Sequence, residues 1–402
     1  MLNRATIREL KNLDGKRVFI RVDHNVPQDE KGNITDDARI REALASIKFC
    51  TDKGARVILC SHLGRPKSKA DTQYTMKPVV ERLRKHLPNM KIHFAPDCIG
   101  PEVEAMIAKL KKGEVLYLEN IRFYKEETDN DPEFAKKLAG LCDYYVNNAF
   151  GAAHRAHAST EGIAKYVPAV AGFLMERELK ILGEAINDPK RPLTVILGGA
   201  KVADKIGVID NLLKIADNIL IGGGMMFTFA KAAGGEIGDS IVDDASLDYC
   251  RAVFKAAKDK KVNLLVAHDC IIADKFANDA STRICSAKEI RDGWRGLDIG
   301  PESIDAFKAV IAKSGTIIWN GPLGVTEFEK FAVGSREVGK AIVESDAVTI
   351  VGGGDTGYAV VQFGIADKFT HVSTGGGASL ELLEGKTLPG VAALLSRDAV
   401  IN

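Results

Sequence analysis

Four apolar runs in the second half of the chain end in glycine-rich turns, within 193–201, 218–227, 349–357 and 370–380. Glycine lets backbone N–H groups converge on an anion without a Cβ in the way, and a helix that begins at the turn adds its positive end. Lys201 and Lys205 follow the first turn one helical turn apart, so both ammonium groups can face the same phosphates. This combination predicts a polyphosphate site.

The apolar runs of the first half end instead in Asp, Asn, His and Arg, within RVDHN, SHLGR, LENIR and NNAFGAAHR (21–25, 61–65, 118–122 and 147–155). Arginine offers a planar fork of donors to phosphate and carboxylate oxygens. A single arginine of this kind is more often a surface ion pair. Five basic side chains near strand ends predict a site for a small anion: Arg39, His62, Arg65, Arg122 and Arg155.

Asp355 lies inside one of the glycine turns, where phosphates are expected. A carboxylate there is explained by Mg²⁺, which prefers oxygen ligands and is commonly held by one carboxylate and substrate phosphates. Asp355 could also cap the following helix, and the two roles need not exclude each other. Glu327, in WNGPLGVTEFE (319–329), is a candidate for binding ribose hydroxyls, and a solvated surface glutamate is its alternative.

Three further motifs suggest other chemistry, and the residues around each of them disfavour it. Gly352, Gly354 and Gly357 match the dinucleotide fingerprint, but a third glycine turn at 374–377 occupies the place of the ribose-binding acid. The segment 334–341 has the spacing of a P-loop but lacks its Ser or Thr and a preceding strand, which predicts an ordinary helix. The two histidines of 154–157 have no neighbouring metal-ligand motif.

Strand and helix patterns alternate along both halves, which predicts parallel α/β sheets. The predicted strands lie at 17–22, 56–60, 91–94, 114–119 and 143–147, then at 193–197, 217–221, 262–266, 315–319, 347–351 and 370–373. A length of 402 residues exceeds what one hydrophobic core usually supports, so two domains are expected. The helical pattern at 171–187, followed by NDPKRP, marks the boundary between them.

Composition excludes several classes of function. A formal net charge of +1 gives no global field for nucleic acid or an anionic membrane. No segment has the ~20 apolar residues of a membrane span or the apolar core of a signal peptide, so we expect a cytoplasmic protein. The seven cysteines include no C-x-x-C and predict reduced thiols rather than disulfides or a zinc site.

Taken together, these segments resemble the phosphoglycerate kinase family along the whole chain. The resemblance rests on the order and spacing of RVDHNVP, SHLGRP, LENIRF, NNAFGAAHRAHAS, GGAKVADKI, WNGPLGVTEFE, VGGGDTGYAV and STGGGASLELLEGKTLPG. It implies two doubly wound parallel-sheet (Rossmann-like) domains joined by a long interdomain helix and hinge. Phosphoglycerate would bind in 1–170 and nucleotide in 191–387, with the helix and hinge at 171–190 and a segment packing back on the first domain at 388–402.

The resemblance also implies roles for individual residues. The glycerate substrate would be bound by Asp23, Asn25, Arg39, His62, Leu63, Gly64, Arg65, Arg122 and Arg155. The nucleotide would be bound by Lys201, Lys205, Gly222, Gly223, Asn320, Pro322, Glu327, Gly353, Gly354, Asp355 and Thr356, with Asp355 holding Mg²⁺ as MgADP or MgATP. Arg39 and Lys201 would be catalytic, and the enzyme is expected to be a monomer.

The implied reaction is reversible phosphoryl transfer from the acyl phosphate of 1,3-bisphosphoglycerate to MgADP, in line and after hinge closure. Both nucleophiles are ionised at neutral pH, so the chemistry requires alignment and charge neutralisation rather than a general base. The chain departs from the family at His24, usually apolar, and at Asn148, usually Asp. We expect His24 to perturb Asp23 and Asn25, and Asn148 to remove a charge near Arg155.

Two other hypotheses remain open on the residues alone. An NAD-dependent dehydrogenase built on the turn at 352–357 would bind nicotinamide and need no magnesium. A non-enzymatic nucleotide-binding module would bind ATP without any dependence of ADP formation on 3-phosphoglycerate.

Overall fold

The structure, a computed structural model, describes residues 3–398 of the chain. The chain forms two compact units. One runs to Lys180 and takes up the chain again at Thr387, and the other is Ile181–Lys386. We refer to them as the first and second units.

The first unit is built on a six-stranded parallel sheet. Its strands are β1 Arg17–Val22, β2 Arg56–Cys60, β3 Ile92–Phe94, β4 Val115–Tyr117, β5 Tyr144–Asn148 and β6 Ala169–Ala171, in the order β3-β4-β2-β1-β5-β6. The helices are α1 Ala38–Asp52, α2 Lys77–His86, α3 Pro101–Lys109, α4 Lys125–Thr128 and α5 Pro132–Gly140, then α6 Phe173–Asn187, within which the boundary between the units falls. The central strands are apolar and buried because helices cover both faces of the sheet.

The second unit has a six-stranded parallel sheet of its own. The strands of the whole second unit are β7 Leu193–Leu197, β8 Asn218–Ile221, β9 Glu236–Ile237, β10 Asn263–Val266, β11 Asp269–Ala273, β12 Thr282–Ser286, β13 Glu289–Ile290, β14 Arg295–Ile299, β15 Thr316–Asn320, β16 Val348–Gly352 and β17 His371–Val372. The large sheet has the order β10-β8-β7-β15-β16-β17, a small sheet has the order β12-β11-β14, and β13 pairs with β9.

The helices of the second unit follow its strands. They are α7 Ile206–Ile215, α8 Met225–Ala232, α9 Leu247–Asp259, α10 Pro301–Ile311, α11 Val333–Val343, α12 Gly354–Gln362 and α13 Gly377–Leu383, and α14 Pro389–Ala392 lies in the first unit. The segment 334–341 lies inside α11, so it is helical as predicted. Within the described residues, no helix is both long and apolar enough to cross a membrane.

The sequence patterns predicted the parallel sheets and missed the small antiparallel one. Eleven strands were expected, and all of them are present with ends shifted by a few residues at most. The strand β6 at the edge of the first sheet and the short strands β9 and β13 were not assigned. Nor were the strands of the antiparallel sheet, β11, β12 and β14. Their buried and exposed positions do not alternate regularly, since β12 is largely exposed whereas β14 is almost entirely buried.

The segment that begins at Thr387 forms backbone hydrogen bonds with earlier residues of the first unit. Leu395 N–H donates to Ala169 O at 2.9 Å, while Leu395 O accepts from Ala5 N–H at 2.9 Å. Gly390 N–H donates to Ala153 O at 2.9 Å, which brings this segment to the loop that follows β5. The end of the segment for which packing was predicted, 399–402, lies outside the described residues.

Candidate active site

The predicted substrate residues of the first unit follow the carboxyl ends of its parallel strands, which meet at one edge of the sheet. Arg39, in the first turn of α1, forms an ion pair with Asp23 (Nη1 to Oδ2, 2.7 Å). Gly64 connects two other turns, because its N–H donates to Asn25 Oδ1 at 2.8 Å and its carbonyl accepts from Arg122 Nη1 at 2.9 Å. The turns after β1, β2 and β4 and the start of α1 therefore converge at this edge.

The electrostatics at this edge favour an anion. His62 is buried, and its pKa is held well below the usual range by burial first and then by the positive charge of Arg21 and other nearby basic groups. The pKa of Arg122 is lowered to about 10, mainly by burial and then by Arg21 and Arg155. The cationic groups therefore depress one another, and a bound anion would relieve the repulsion among them.

Two buried polar atoms of this cluster have no hydrogen-bond partner among the described residues: Asp23 Oδ1 and Arg122 Nε. Buried polar atoms are normally paired, so each is a place for a ligand group, one an acceptor and the other a donor. Leu63 is buried, while Arg65 and Arg155 are exposed. Arg155 Nε lies 3.1 Å from His154 Nε2.

Sequence reasoning missed the buried residues beneath this cluster. Arg21, Glu127 and Ser159 are all fully buried, and Arg21 Nη2 lies 3.1 Å from His62 Nδ1. A charged residue inside the apolar run RVFIRV was the available signal for Arg21. No comparable signal exists for Glu127, which occurs in the charged stretch KEET of α4 and is buried only by the tertiary fold.

The side chain of His24 is part of the buried interior. Its Nδ1 lies 2.8 Å from the Tyr117 hydroxyl, and the two rings stack with centroids 5.9 Å apart. Burial, more than the nearby charge of Arg21, lowers its pKa to about 3, so the ring is neutral at physiological pH. The expected perturbation of Asp23 and Asn25 by this ring stays a prediction.

Asn148 makes its hydrogen bonds at the start of α6. Its Oδ1 accepts from Ser46 Oγ and from Leu174 N–H, both at 3.0 Å, while its buried Nδ2 has no partner among the described residues. These contacts place the amide beside the first turn of α6. The expected effect of this position on Arg155 also stays a prediction.

In the second unit the glycine turns pack directly against one another. Gly199 N–H donates to Pro322 O at 3.0 Å, and Gly223 N–H donates to Leu323 O at 3.1 Å. A Cβ on Gly198 would lie 2.1 Å from Pro322 O, closer than any side chain tolerates. The turns after β7, β8 and β15 therefore form one continuous surface of backbone.

Lys205 and Asn320 lie beneath this surface. Lys205 Nζ donates to Asn320 Oδ1, and Asn320 Nδ2 is buried with no partner among the described residues. Burial lowers the pKa of Lys205 to about 8 even though the charges of Asp204 and Asp355 raise it. Thr356 Oγ1 accepts from Gly321 N–H at 2.7 Å, which joins the turn after β16 to the others. Lys201 is exposed.

The structure tests one of the two roles considered for Asp355, the helix cap. The N-cap of α12 is Gly353, with φ of 91°, and Asp355 lies inside the first turn of the helix. The hypothesis that Asp355 is the N-cap is therefore wrong. Its carboxylate is exposed at the positive end of α12, where an anionic side chain is favourable and where phosphate oxygens are expected.

A cavity of about 500 Å³ gathers residues from these turns. Its lining includes Gly199, Gly223, Pro322, Glu327 and Asp355, all of which belong to the predicted nucleotide site or border it. The sequence did not point to two apolar residues that also line it, Ile241 and Phe276, which are 43% and 57% exposed. Apolar walls beside polar turns are typical of a small-ligand site.

The two α/β units, one with a basic cluster and one with a glycine-lined cavity, define a phosphotransferase that handles two anionic substrates. The chain belongs to the phosphoglycerate kinase family, whose model, described as "Phosphoglycerate kinase", matches residues 7–386. It is thus a kinase of glycolysis, which transfers a phosphoryl group from 1,3-bisphosphoglycerate to ADP and forms 3-phosphoglycerate and ATP. The family uses its nucleotide together with Mg²⁺. The dehydrogenase and the non-enzymatic module are both excluded.

Similar proteins extend over nearly the whole chain. The cytosolic phosphoglycerate kinase of Nicotiana tabacum is 54% identical over 400 residues, which covers 98% of this chain and 99% of the tobacco protein. The phosphoglycerate kinase of Nostoc is 52% identical over 399 residues, with coverage of 98% and 99%. The structure of phosphoglycerate kinase from Coxiella burnetii is 38% identical, with a TM-score of 0.87 and coverage of 97% and 98%.

Proposed function

We propose that the first unit binds the glycerate substrate and that the second unit binds MgADP or MgATP. The observation that carries this assignment is the basic cluster of the first unit, in which two buried atoms, Asp23 Oδ1 and Arg122 Nε, have no partner among the described residues. A phosphoglycerate offers both a hydroxyl, which can donate to the carboxylate, and anionic oxygens, which can accept from the guanidinium. The residues proposed to bind it are Asp23, Asn25, Arg39, His62, Leu63, Gly64, Arg65, Arg122 and Arg155.

The nucleotide is assigned to the second unit because its turns offer backbone N–H groups, a buried ammonium group and a cavity of about 500 Å³. Lys201, Lys205 and the turn at 353–356 would contact the phosphates. Gly222, Gly223, Asn320 and Pro322 would border the nucleoside, with Glu327 at the ribose. Exposure of Glu327 on the lining of the cavity is consistent with this role.

The donor set around Asp355 suits magnesium. The described residues include no group of three or more His, Cys, Asp or Glu side chains able to hold a metal ion. Asp355 instead presents a single exposed carboxylate in the first turn of α12, which is the arrangement that Mg²⁺ accepts when phosphate oxygens complete its coordination. Bound there, Mg²⁺ would neutralise phosphate charge during transfer.

The chain's own residues would act by alignment and charge. The carboxylate of 3-phosphoglycerate and the terminal phosphate of ADP are already ionised, so no side chain needs to remove a proton. Arg39 from the first unit and Lys201 from the second would neutralise the transferring group, and the amides of the glycine turns would complete its surroundings. Their placement at ends of separate sheets is consistent with this division of roles.

Transfer between two units requires that the substrates come into line and that water is excluded, because water would otherwise hydrolyse the acyl phosphate. We assign this to hinge closure at 171–190, which contains α6, between the phosphoglycerate domain at 1–170 and the nucleotide domain at 191–387. The segment 388–402 would return to the first domain. We further propose a cytoplasmic monomer. The cytosolic relative from tobacco supports that location.

A coupled assay of ADP formation from MgATP and 3-phosphoglycerate tests the assignment. We expect Arg39→Ala and Lys201→Ala each to lower turnover by roughly 10²–10³, or about 3–4 kcal/mol, because each removes a charge that stabilises the transition state. Arg41→Ala, two residues along α1, and Lys214→Ala on α7 remove exposed charges and are expected to retain turnover. Near wild-type turnover in Arg39→Ala and Lys201→Ala would refute the roles given to these residues.

A further inference from the structure

A chain of buried hydrogen bonds runs beneath the basic cluster of the first unit and begins at Glu127. Its carboxylate is fully buried and accepts from Ser159 twice, from the backbone N–H at 2.8 Å and from the hydroxyl at 2.7 Å. A buried carboxylate is strongly unfavourable without such bonds. Because a carboxylate without its proton only accepts, the single hydroxyl proton of Ser159 is directed toward Glu127.

The chain continues from Ser159 to Arg21. The oxygen of the Ser159 hydroxyl accepts from Arg21 Nε at 2.8 Å, and Arg21 Nη1 donates to Val22 O at 2.5 Å. Arg21 is itself fully buried, so these contacts determine the orientation of its guanidinium group. Its remaining fork atom, Nη2, lies 3.1 Å from His62 Nδ1.

The contact between Arg21 Nη2 and His62 Nδ1 determines which nitrogen of His62 carries a proton. Arginine has donors only, so His62 Nδ1 must accept, and the proton of the neutral ring resides on Nε2. After burial, the groups that lower the pKa of His62 most are all basic: Arg21, Arg122, Arg39 and His157. These groups and burial keep the ring neutral, so Nε2 is its single donor.

We propose that Glu127 and Ser159 are positioning residues of the phosphoglycerate site, which orient Arg21 and thereby hold His62 in the tautomer that donates from Nε2. The proposal rests on the function proposed above only for the identity of the anion. It explains why Glu127 and Arg21, both buried and oppositely charged, are joined through the hydroxyl of Ser159 instead of forming a direct ion pair.

A purely structural role for the same residues is the alternative. Glu127 also supports the loop after β5, since its carbonyl accepts from Ala158 N–H at 2.9 Å and His157 Nδ1 lies 3.7 Å from its Oε1. Loss of that support would reduce folded protein and turnover without changing the tautomer of His62. The experiment therefore needs a direct measurement on the ring.

The first measurement is ¹⁵N NMR of the histidine ring nitrogens in the complete protein at pH 7.5, with the His62 signals assigned by their loss in His62→Gln. We expect only Nε2 to be protonated in the wild type. Ser159→Ala and Glu127→Gln are expected to show both tautomers. Thr160→Val is the matched control, because Thr160 bonds within the same loop, to Arg155 O at 2.8 Å, and it is expected to keep the wild-type tautomer.

The second measurement compares the Michaelis constants of the two substrates. In Ser159→Ala and Glu127→Gln we expect KM for the glycerate substrate to rise about tenfold, from the loss of an oriented hydrogen bond to a charged ligand, with KM for MgATP unchanged. The proposal is overturned by a wild-type ring protonated on Nδ1, by unchanged tautomers in both variants, or by equal rises in both KM values. An inactive wild type would refute the proposed function instead, and the NMR result would still decide the tautomer.

Discussion

The two proposed anion sites differ in the groups that form them, side chains in the first unit and backbone in the second. In the first unit, side chains carry the charge, and His62, Arg122 and His157 all have lowered pKa values, chiefly because they are buried near other cations. In the second unit, the backbone of several glycine turns forms the surface of the proposed site. A Cβ on Gly198 would lie only 2.1 Å from Pro322 O. The cationic groups of the first unit repel one another, whereas the close contact between turns of the second unit leaves no room for a side chain at positions such as Gly198.

This difference predicts which kind of change affects each proposed site most. A side-chain site responds to pH and to changes of charge, because the free energy of its buried groups depends on their protonation. A backbone site responds to volume, because its amide groups stay in place only while the turns remain in contact. Substitutions that add one methyl group and substitutions that change one charge should therefore affect opposite units.

The largest effect is expected from one methyl group in the second unit. Gly198→Ala would place its Cβ 2.1 Å from Pro322 O and 2.4 Å from Gly321 O, which forces the turns after β7 and β15 apart. We expect a loss of about 3 kcal/mol or more in the free energy of unfolding of this unit, together with weaker binding of MgADP. Denaturant unfolding and calorimetric titration measure the two effects.

The matched control is Gly354→Ala. Nothing lies within 4 Å of a Cβ at this position, and its φ is not in the left-handed region, although it belongs to the same kind of turn. We expect its stability to stay within about 0.5 kcal/mol of the wild type. Equal losses in both variants would show that any side chain in these turns is harmful, and the contrast between steric and electrostatic sites would fail.

The second prediction concerns acid stability in the first unit. The pKa of His24 is about 3 in the folded protein and near 6.5 in an unfolded chain, so the unfolded state binds more protons between these values. Stability therefore falls as pH falls below about 6.5. His24→Phe removes this titration, and we expect its loss of unfolding free energy between pH 7 and pH 5 to be about 2 kcal/mol smaller than that of the wild type.

Denaturant titrations at the two pH values, followed by a probe in the first unit, make this comparison. His62 and His157 titrate in the same direction and are present in both proteins, so their contributions cancel in the difference. The same loss of stability in both proteins would mean that the ring of His24 can be protonated without disrupting its contact with Tyr117.

The smallest effect is expected at Lys205, a buried charge within the backbone site. With its pKa at about 8, Lys205 is mostly protonated at pH 7 and mostly neutral at pH 9. We expect the Kd of MgADP to be roughly tenfold higher at pH 9 than at pH 7, because binding of phosphate requires the ammonium form. Calorimetric titrations at the two pH values measure this change.

Two comparisons isolate the contribution of Lys205. Lys205→Gln should bind MgADP weakly with little dependence on pH over this range. The affinity for 3-phosphoglycerate should change less than about twofold, because His62 is neutral throughout and Arg122, with a pKa of about 10, stays charged. A tenfold change in the affinity for both ligands would indicate a global effect of pH instead.

Local sequence was sufficient for every strand of the two large sheets except β6. Near-continuous apolar runs marked strands such as β1, β7 and β16. Glycine or basic residues directly after such runs marked the edge of each sheet at which a site is proposed. Asp355 was singled out as a magnesium ligand, which stays a prediction, and its rejection as an N-cap needed the backbone of Gly353. A capping position depends on where the helix begins, to within one residue, and sequence patterns do not resolve that.

What the sequence by itself determined about this protein is the kind of chemistry each turn can support and the order of strands and helices along the chain, because side-chain type and periodicity are local properties. Only the tertiary structure decided that Arg21, Ser159 and Glu127 meet beneath His62, and that Lys205 is buried against Asn320. Burial and proximity of residues far apart in the chain set protonation and orientation, and neither is encoded in the spacing of residues along it.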